Sequence, residues 1–521
     1  MIFLVADAAR LLRAGYVLAR EGVLSLVSPA VAPPLARPAL RLARLIARRD
    51  AGSRAARFSA ALSRLGPSYV KLGQFLATRP DVVGPTVARD LEVLQDRMPA
   101  FGQAVAEDIV ATSFDRPVRE VFAAFGPAVA AASIAEVHKG AVEEDGSRRD
   151  VAVKVLRPGI SRRFSSDMAS FRRLAAFAEA NFAEARRLRL ESVVDTMARS
   201  VSMEMDLRLE AAAYAELAEN TREDHDIHVP QVDWDRSSRE VLTTEWIDGI
   251  KLSDKEALIA AGHDPKEIAR IVMQSFLRQA MRDGFFHADM HPGNLFVDAG
   301  GRLVVVDCGI MGRLGHKERR FLAEILYGFI TRNWRRTAEV HFEAGYVPFH
   351  HSVDDFAQAI RAIGEPIHSR RADQISMARL LALLLEVTAL FDMQTRPELL
   401  LLQKTMVVVE GVARSLDPQL DMWKTAAPVV EDWIARNLGP VGQLQQAGLS
   451  LGEVGHFATT VPALLTRTAR VMQQLDAATR DGIQLSAASL EGIGRAEARR
   501  AFWGNAALWV IALALLGLWL G

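Results

Sequence analysis

Hydrophobic positions along the chain fall into two regimes. In the middle, the apolar triplet Leu295 to Val297, the polar turn Asp298-Ala299-Gly300-Gly301-Arg302 and a second apolar run from Leu303 to Val306 predict a short hairpin. Upstream, Val151 to Leu156 alternates apolar and small or polar residues and predicts a strand. A strand over Ala128 to Ala141 leads into it through the polar turn from Glu143 to Asp150, and Val241 to Ile250 reads as another. Elsewhere the period is helical: an amphipathic helix in residues 1–28, helices through 39–126, long charged helices over 160–220, a helix at 264–283, and helices from Asp307 to about residue 500. Four prolines between residues 29 and 42 mark a linker, and Leu380 to Leu390 is short enough to be a core helix.

The last residues depart from this soluble pattern. Residues 501–521 carry no charged side chain, and at about 1.5 Å rise per residue they are long enough for a hydrocarbon core of about 30 Å. They predict one transmembrane anchor, with Arg495, Arg499 and Arg500 holding the preceding domain on the cytoplasmic side. The start lacks the basic and apolar regions of a signal peptide. Its helix sets Ile2, Leu4, Val5, Leu11, Leu12 and Val17 against Arg10, Arg13 and Arg20, a face suited to packing on its own domain or to grazing a membrane surface. Lys plus Arg equals Asp plus Glu at 63 each, so charge gives no reason to expect nucleic acid. The one cysteine, Cys308, excludes an internal disulfide.

The central hairpin carries chemistry at both ends. His287-x-Asp289 with Asn294 precedes it, and Asp307-Cys308-Gly309 follows it. Two carboxylates and an amide at one edge suit phosphoryl transfer, in which Mg²⁺ takes hard oxygen ligands. Asn294 and Asp307 are the candidate metal ligands, which leaves Asp289 to orient or deprotonate an attacking hydroxyl or water. Val151-Ala152-Val153-Lys154 is similar to the lysine-bearing strand of protein kinases, where the lysine meets nucleotide phosphates. Glu204, Asp206 and Glu210 are candidate partners for that lysine, and the backbone from Glu245 to Ile247 is placed to meet an adenine edge.

Lys71-Leu72-Gly73-Gln74 lies in an otherwise helical stretch opened by Pro67, where a glycine costs about 1 kcal/mol against alanine. By periodicity alone it is a glycine at a tight helix crossing. Together with the alanine loop Ala130-Ala131-Ala132-Ser133, Glu204-x-Asp206 and the His287 to Gly309 elements, it resembles the UbiB/ABC1 family of atypical protein-kinase-like ATPases, over about residues 60 to 420.

The resemblance implies an α+β, two-lobe kinase-like fold. Its parts would be a helical K-x-G-Q extension (39–126), an N-lobe (127–250), a C-lobe (251–420), C-terminal helices (421–500) and the anchor (501–521). It implies ATP and Mg²⁺ as cofactors. Lys154 would hold phosphates and pair with Glu210; Asn294 and Asp307 would bind the metal; Asp289 would be the catalytic acid/base. Lys71, Gly73 and Gln74 would cover the place of a peptide substrate, with Lys71 tied to Glu204 and Asp206. The implied role is support of ubiquinone biosynthesis, through access to polyprenyl-phenol lipid intermediates and contact with other quinone-biosynthesis enzymes; the absence of a transit-like start favours the bacterial plasma membrane over the mitochondrial inner membrane. Cys308, where the family has Phe, and a single terminal span are the departures. Two other readings are a small-molecule phosphotransferase of the aminoglycoside or choline kinase type and a non-catalytic nucleotide-binding scaffold.

Overall fold

A computed structural model describes residues 2–438 apart from 27–36, 49–51, 78, 93, 95–97, 182, 370–386, 388–389 and 394–396. The expected anchor at 501–521, the helices beyond residue 438 and most of 380–390 lie outside the described residues. Among those described, no helix is long and apolar enough to cross a membrane. Contacts divide the chain into Met1–Ile434 and Ala435–Gly521, and every described strand belongs to the first unit.

Helices come first: α1 (Ile2–Arg20), α2 (Arg37–Ile46), α3 (Arg54–Leu65), α4 (Pro67–Ala77), α5 (Pro80–Val83), α6 (Pro85–Glu92), α7 (Gln103–Phe114) and α8 (Val118–Val121). The proline-rich stretch is therefore not all linker, because Pro38 sits in the first turn of α2, where its missing N–H is not needed. Leu62, Val70, Leu91 and Leu94 form a small separate core that holds α3, α4 and α6 together.

A four-stranded antiparallel sheet follows, in the order β1 (Ala124–Ala131), β2 (Ala135–Glu144), β3 (Ser147–Leu156), β5 (Val241–Glu245). The run expected as one strand from Ala128 to Ala141 is thus two strands, broken where Ala132 N–H donates to Ala135 O at 2.8 Å. The alanine loop is a hairpin tip, and no glycine in it announced the turn. Val151, Val153 and Val155 of β3 are buried under α7, and the alternation turns Lys154 to the opposite face. Between β3 and β5 the chain inserts α9 (Ile160–Asn181), α10 (Ala183–Leu188), α11 (Leu190–Glu204), α12 (Leu207–Asn220) and β4 (Ile227–His228).

The second lobe has β6 (Ile250–Lys251), α13 (Lys255–Ala260), α14 (Pro265–Leu277), β7 (Phe285–His287), β8 (Leu295–Val297), β9 (Leu303–Val305) and β10 (Met311–Arg313). Helices α15 (His316–Ile330), α16 (Trp334–Glu343), α17 (Val353–Ser369), α18 (Pro397–Leu416) and α19 (Met422–Leu438) complete it. Strands β8 and β9 form the expected hairpin, with Leu295 opposite Val305, in a sheet ordered β4-β9-β8-β6. The helix expected over 264–283 changes character at Arg278, where six residues form a π-helical turn ending at left-handed Gly284. The main core joins both lobes through Leu156, Met197 and Leu207 on one side and Phe276, Phe286, Leu295 and Val305 on the other.

Candidate active site

Three charged side chains meet where the lobes face each other. Lys154 Nζ lies 2.7 and 2.9 Å from the two carboxylate oxygens of Glu210 and 2.8 Å from Asp307 Oδ1. Burial alone pulls the Lys154 pKa down, and the Asp307 and Glu210 carboxylates outweigh it and hold the ammonium protonated. Lys154 in turn holds the carboxyl of the half-exposed Asp307 well below the usual carboxylate range. Glu210 behaves differently. Its side chain is 8% exposed, and burial pushes its carboxyl up to about 7 despite Lys154.

Backbone geometry delivers these groups. Asp307 is left-handed at φ 62°, a region in which Asp is better tolerated than most residues. The strained turn is held on both sides: Asp307 N–H donates to the Tyr214 hydroxyl at 2.6 Å, and Asp307 O accepts from His287 Nε2 at 3.0 Å. Tyr214 stands four residues after Glu210 on α12, so one helix face supplies both the carboxylate and the clamp. A Cβ on Gly309 would lie 3.2 Å from Asp307 Oδ1 and 3.8 Å from Glu210 Oε2, so the missing side chain keeps room beside the carboxylates. Cys308 is buried in the main core, and burial pushes its thiol well up, so it stays neutral.

His287 is fully buried. With Nε2 donating to Asp307 O and Val306 O and Nδ1 accepting from Asp289 N–H at 3.1 Å, the ring is neutral, and burial lowers its pKa accordingly. The π turn serves this residue, since it brings Gln279 Oε1 within 3.0 Å of His287 N–H. Asn294 Nδ2 donates to Asp289 O at 3.1 Å, and Val306 N–H donates to Asn294 O at 2.9 Å, which sets Asn294 beside the residue preceding Asp307. His291 accepts from Gly293 N–H through Nδ1 and faces Asp289 Oδ2 with Nε2 at 3.8 Å. On the far side, Thr405 of α18 donates to Ala288 O at 3.0 Å.

The K-x-G-Q helix reaches the same place. Lys71 Nζ lies 2.6 Å from Glu204 Oε2 and is close enough to Asp307 to add to the lowering of its pKa. A Cβ on Gly73 would lie 2.5 Å from Leu94 Cδ1 and 2.6 Å from Leu62 Cδ1, so this glycine permits close helix packing, as its periodicity suggests. Asp206, expected as a second partner of Lys71, accepts from Arg208 N–H as the N-cap of α12 and pairs with the Arg208 guanidinium at 2.6 Å.

Around the alanine loop, Ala132 O accepts from Arg157 Nε at 3.0 Å and Nη2 at 2.8 Å, and Arg157 also reaches Pro99 O. Met98 N–H donates to Ala131 O, Ala130 pairs with Val137, and Ser133 is buried. At the connector, Glu245 N–H is taken by Gln231 O at 2.8 Å and its carboxylate by His228 at 3.0 Å; Ile247 follows in the link to β6. Sequence reasoning missed Tyr214, Gln279, Arg157 and Thr405. Only Tyr214 had a signal, its i+4 spacing from Glu210.

A lysine held by two carboxylates beside an Asp–Asn pair at a hairpin edge is the arrangement of a kinase-like site. Residues 93–341 match the ABC1 atypical kinase-like domain, and 360–421 match the UbiB helical domain. A protein of Marinobacter nauticus named probable protein kinase UbiB is 40% identical over 398 residues, spanning 75% of this chain and 72% of its own. The chain belongs to the UbiB family. Like-named proteins of Xanthomonas campestris pv. campestris and Aliivibrio salmonicida are each 38% identical, covering 80% and 74% of this UbiB-family chain and 76% and 72% of their own lengths. A solved structure of a Mycobacterium tuberculosis protein with erythromycin is 22% identical, with a TM-score of 0.49, covering 69% of this chain and 90% of that one.

Proposed function

We propose that this UbiB-family protein is a Mg²⁺-dependent, ATP-binding atypical kinase or ATPase that supports ubiquinone biosynthesis, acting on access to polyprenyl-phenol lipid intermediates at the inner face of a bacterial plasma membrane. The observation that carries the nucleotide part is the knot of Lys154, Glu210 and Asp307. The donor set fits magnesium: Lys154 engages Asp307 Oδ1 and leaves Oδ2, Asn294 turns its NH₂ onto Asp289 O and so presents its carbonyl oxygen, and Gly309 keeps the space open. A bound magnesium ion supplies neutralisation of phosphate charge. Lys154 holds the α- and β-phosphates, and Glu210 orients it. Asp289, half-exposed, orients the attacking hydroxyl or water and accepts its proton. Ala130 to Ser133 cover the phosphates, and the backbone from Glu245 to Ile247 meets the adenine.

Lys71 beside Asp307 favours hydrolysis or a lipid-directed role over transfer to protein, because the K-x-G-Q helix stands against the site a peptide would need. Support for a membrane surface comes from the first two helices. Leu12, Tyr16, Leu42 and Leu45 are exposed large apolar residues on α1 and α2, which also carry Arg10, Arg13, Arg20, Arg41 and Arg44. The uncharged tail at 501–521 adds an anchor, and the names of the curated relatives add the pathway. Partner proteins are other enzymes of the same biosynthesis.

The test is phosphate release from MgATP with and without anionic liposomes and a polyprenyl-phenol analogue, for the wild type and Asp289→Asn. The expected result is lipid-stimulated release in the wild type and its loss in the variant, with nucleotide binding retained. Nucleotide binding without turnover under every condition, together with quinone production sustained by Asp289→Asn, transfers the role to a scaffold.

A further inference from the structure

A second set of convergent ligands lies in the C-lobe, at a junction between the two matched regions. His350 and His351 stand between residues 341 and 360, where neither domain match reaches, and Asp392 belongs to the UbiB helical domain. Both imidazoles turn Nε2 toward one oxygen: His351 Nε2 lies 3.3 Å and His350 Nε2 3.8 Å from Asp392 Oδ2. One ligand atom from each residue lies within 4.8 Å of the other two. A tetrahedral zinc ion with bonds of about 2.0–2.1 Å sets its ligand atoms about 3.3 Å apart, so one edge of the triangle already has that length and the others are within a small closure of it.

His351 is held by its surroundings, and His350 and Asp392 stand exposed beside it. His351 is only 21% exposed, its N–H donates to Pro348 O, and its ring packs 5.2 Å from Phe391. Ser352, next in the chain, caps α17 through Asp355 N–H. Phe391 is buried against Phe356 in a core that also holds Trp334 and Phe342. Asp392 then turns left-handed at φ 47°, which swings its carboxylate back over the histidines. The two imidazole centroids lie 4.1 Å apart with the rings tilted by 39°, close enough for one cation to take a nitrogen from each and an oxygen from Asp392.

We infer that His350, His351 and Asp392 form a binding site for a divalent transition-metal ion, of which zinc best suits the His₂Asp donor set, and that the bound ion clamps the helical domain to the segment before α17. Three protein ligands leave a fourth position for water or an additional ligand. Nothing in the proposed nucleotide chemistry uses these residues, so this site stands or falls independently of it.

The experiment uses the full chain, untagged and treated with chelator, titrated with Co²⁺ and then with Zn²⁺ in competition. The wild type should show visible d–d absorption of a four- or five-coordinate Co²⁺, displaced by Zn²⁺, and should bind one equivalent more than His350→Ala or Asp392→Asn. Zn²⁺ should raise the unfolding temperature of the wild type but not of the variants. In chelator, the variants should unfold where the wild type does, since His350 and Asp392 are 66% and 69% exposed. Equal Co²⁺ stoichiometry and absorption in wild type and Asp392→Asn would overturn the inference, as would Zn²⁺ stabilisation that survives in both variants.

Discussion

Glu210→Gln separates the cost of the site from its use. The buried carboxyl titrates near 7 in the folded protein and near its ordinary value of 4.5 in the unfolded chain. Its raised pKa contributes stability that is fully present below about 4.5 and is lost as pH rises through about 7, because the folded state holds the proton more tightly. With about 1.36 kcal/mol for each pKa unit, linkage to this one site takes roughly 2–3 kcal/mol from the wild type between pH 5 and pH 8. The amide has no such titration. It retains one acceptor oxygen for Lys154, which also retains Asp307 at 2.8 Å. The variant should therefore gain on the wild type by roughly 2–3 kcal/mol from pH 5 to pH 8, whatever constant offset the altered hydrogen bonds impose. At about 2 °C per kcal/mol for a large domain, that is a relative movement of about 5 °C in unfolding temperature. Scanning calorimetry at both pH values checks it, with nucleotide affinity measured alongside and expected to fall. Parallel pH dependences in the two proteins would refute the assignment of a raised pKa to this carboxyl.

Three further outcomes rest on the same geometry. Asp307→Asn preserves volume and leaves Lys154 paired with Glu210, so the fold should survive while Mg²⁺-dependent ATP affinity drops at least about tenfold by calorimetry; wild-type affinity would remove Asp307 from the metal site. Gly73→Val should lower stability by about 1–3 kcal/mol, because its Cβ already meets Leu94 and Leu62 at 2.5 and 2.6 Å; Gly73→Ala should cost less, offset by about 1 kcal/mol of helix propensity. An unchanged unfolding midpoint for the valine variant would show that the crossing is loose. If Ala130 to Ser133 cover the phosphates as proposed, Ala131→Gly, which removes a Cβ from the end of β1, should change ATP affinity and raise autophosphorylation; no change in either would count against that role.

Legibility in the sequence followed periodicity and ran out where tertiary contacts decide. The β8–β9 hairpin was readable because its apolar runs and glycine turn are local. The alanine loop was not, since Ala132 O is held by Arg157, itself braced on Pro99 O, and no local rule links these residues to Ala132. The π turn at Arg278 was equally hidden, because its sequence suits an ordinary helix and what it gains is a single bond in which His287 N–H donates to Gln279 Oε1. Charged residues divided in the same way. The family resemblance singled out Glu210 as the partner of Lys154 where the residues alone left three acids open, but Asp206 is taken by its own helix end, since capping by a short acid next to the first turn is the stronger local preference.

That capping role has a structural consequence. Glu204 is the last residue of α11, Asp206 caps α12, and Glu210 lies in the first turn of α12. Lys71 grips Glu204 at 2.6 Å, so the K-x-G-Q helix holds the end of one helix whose two-residue link starts the next. Asp206 fixes where that start falls, and Glu210 follows four residues later, aimed at Lys154. Displacing α4 would therefore loosen the Lys71 contact first and then the register of α12, which carries both Glu210 and the Tyr214 clamp on Asp307. A helix outside the kinase-like lobes thus bears on all three members of the charged knot through one short stretch of chain. Its glycine fits the same scheme: close packing at Gly73 leaves α4 little room to drift, and a helix that must place Lys71 on Glu204 beside the charged knot needs that rigidity.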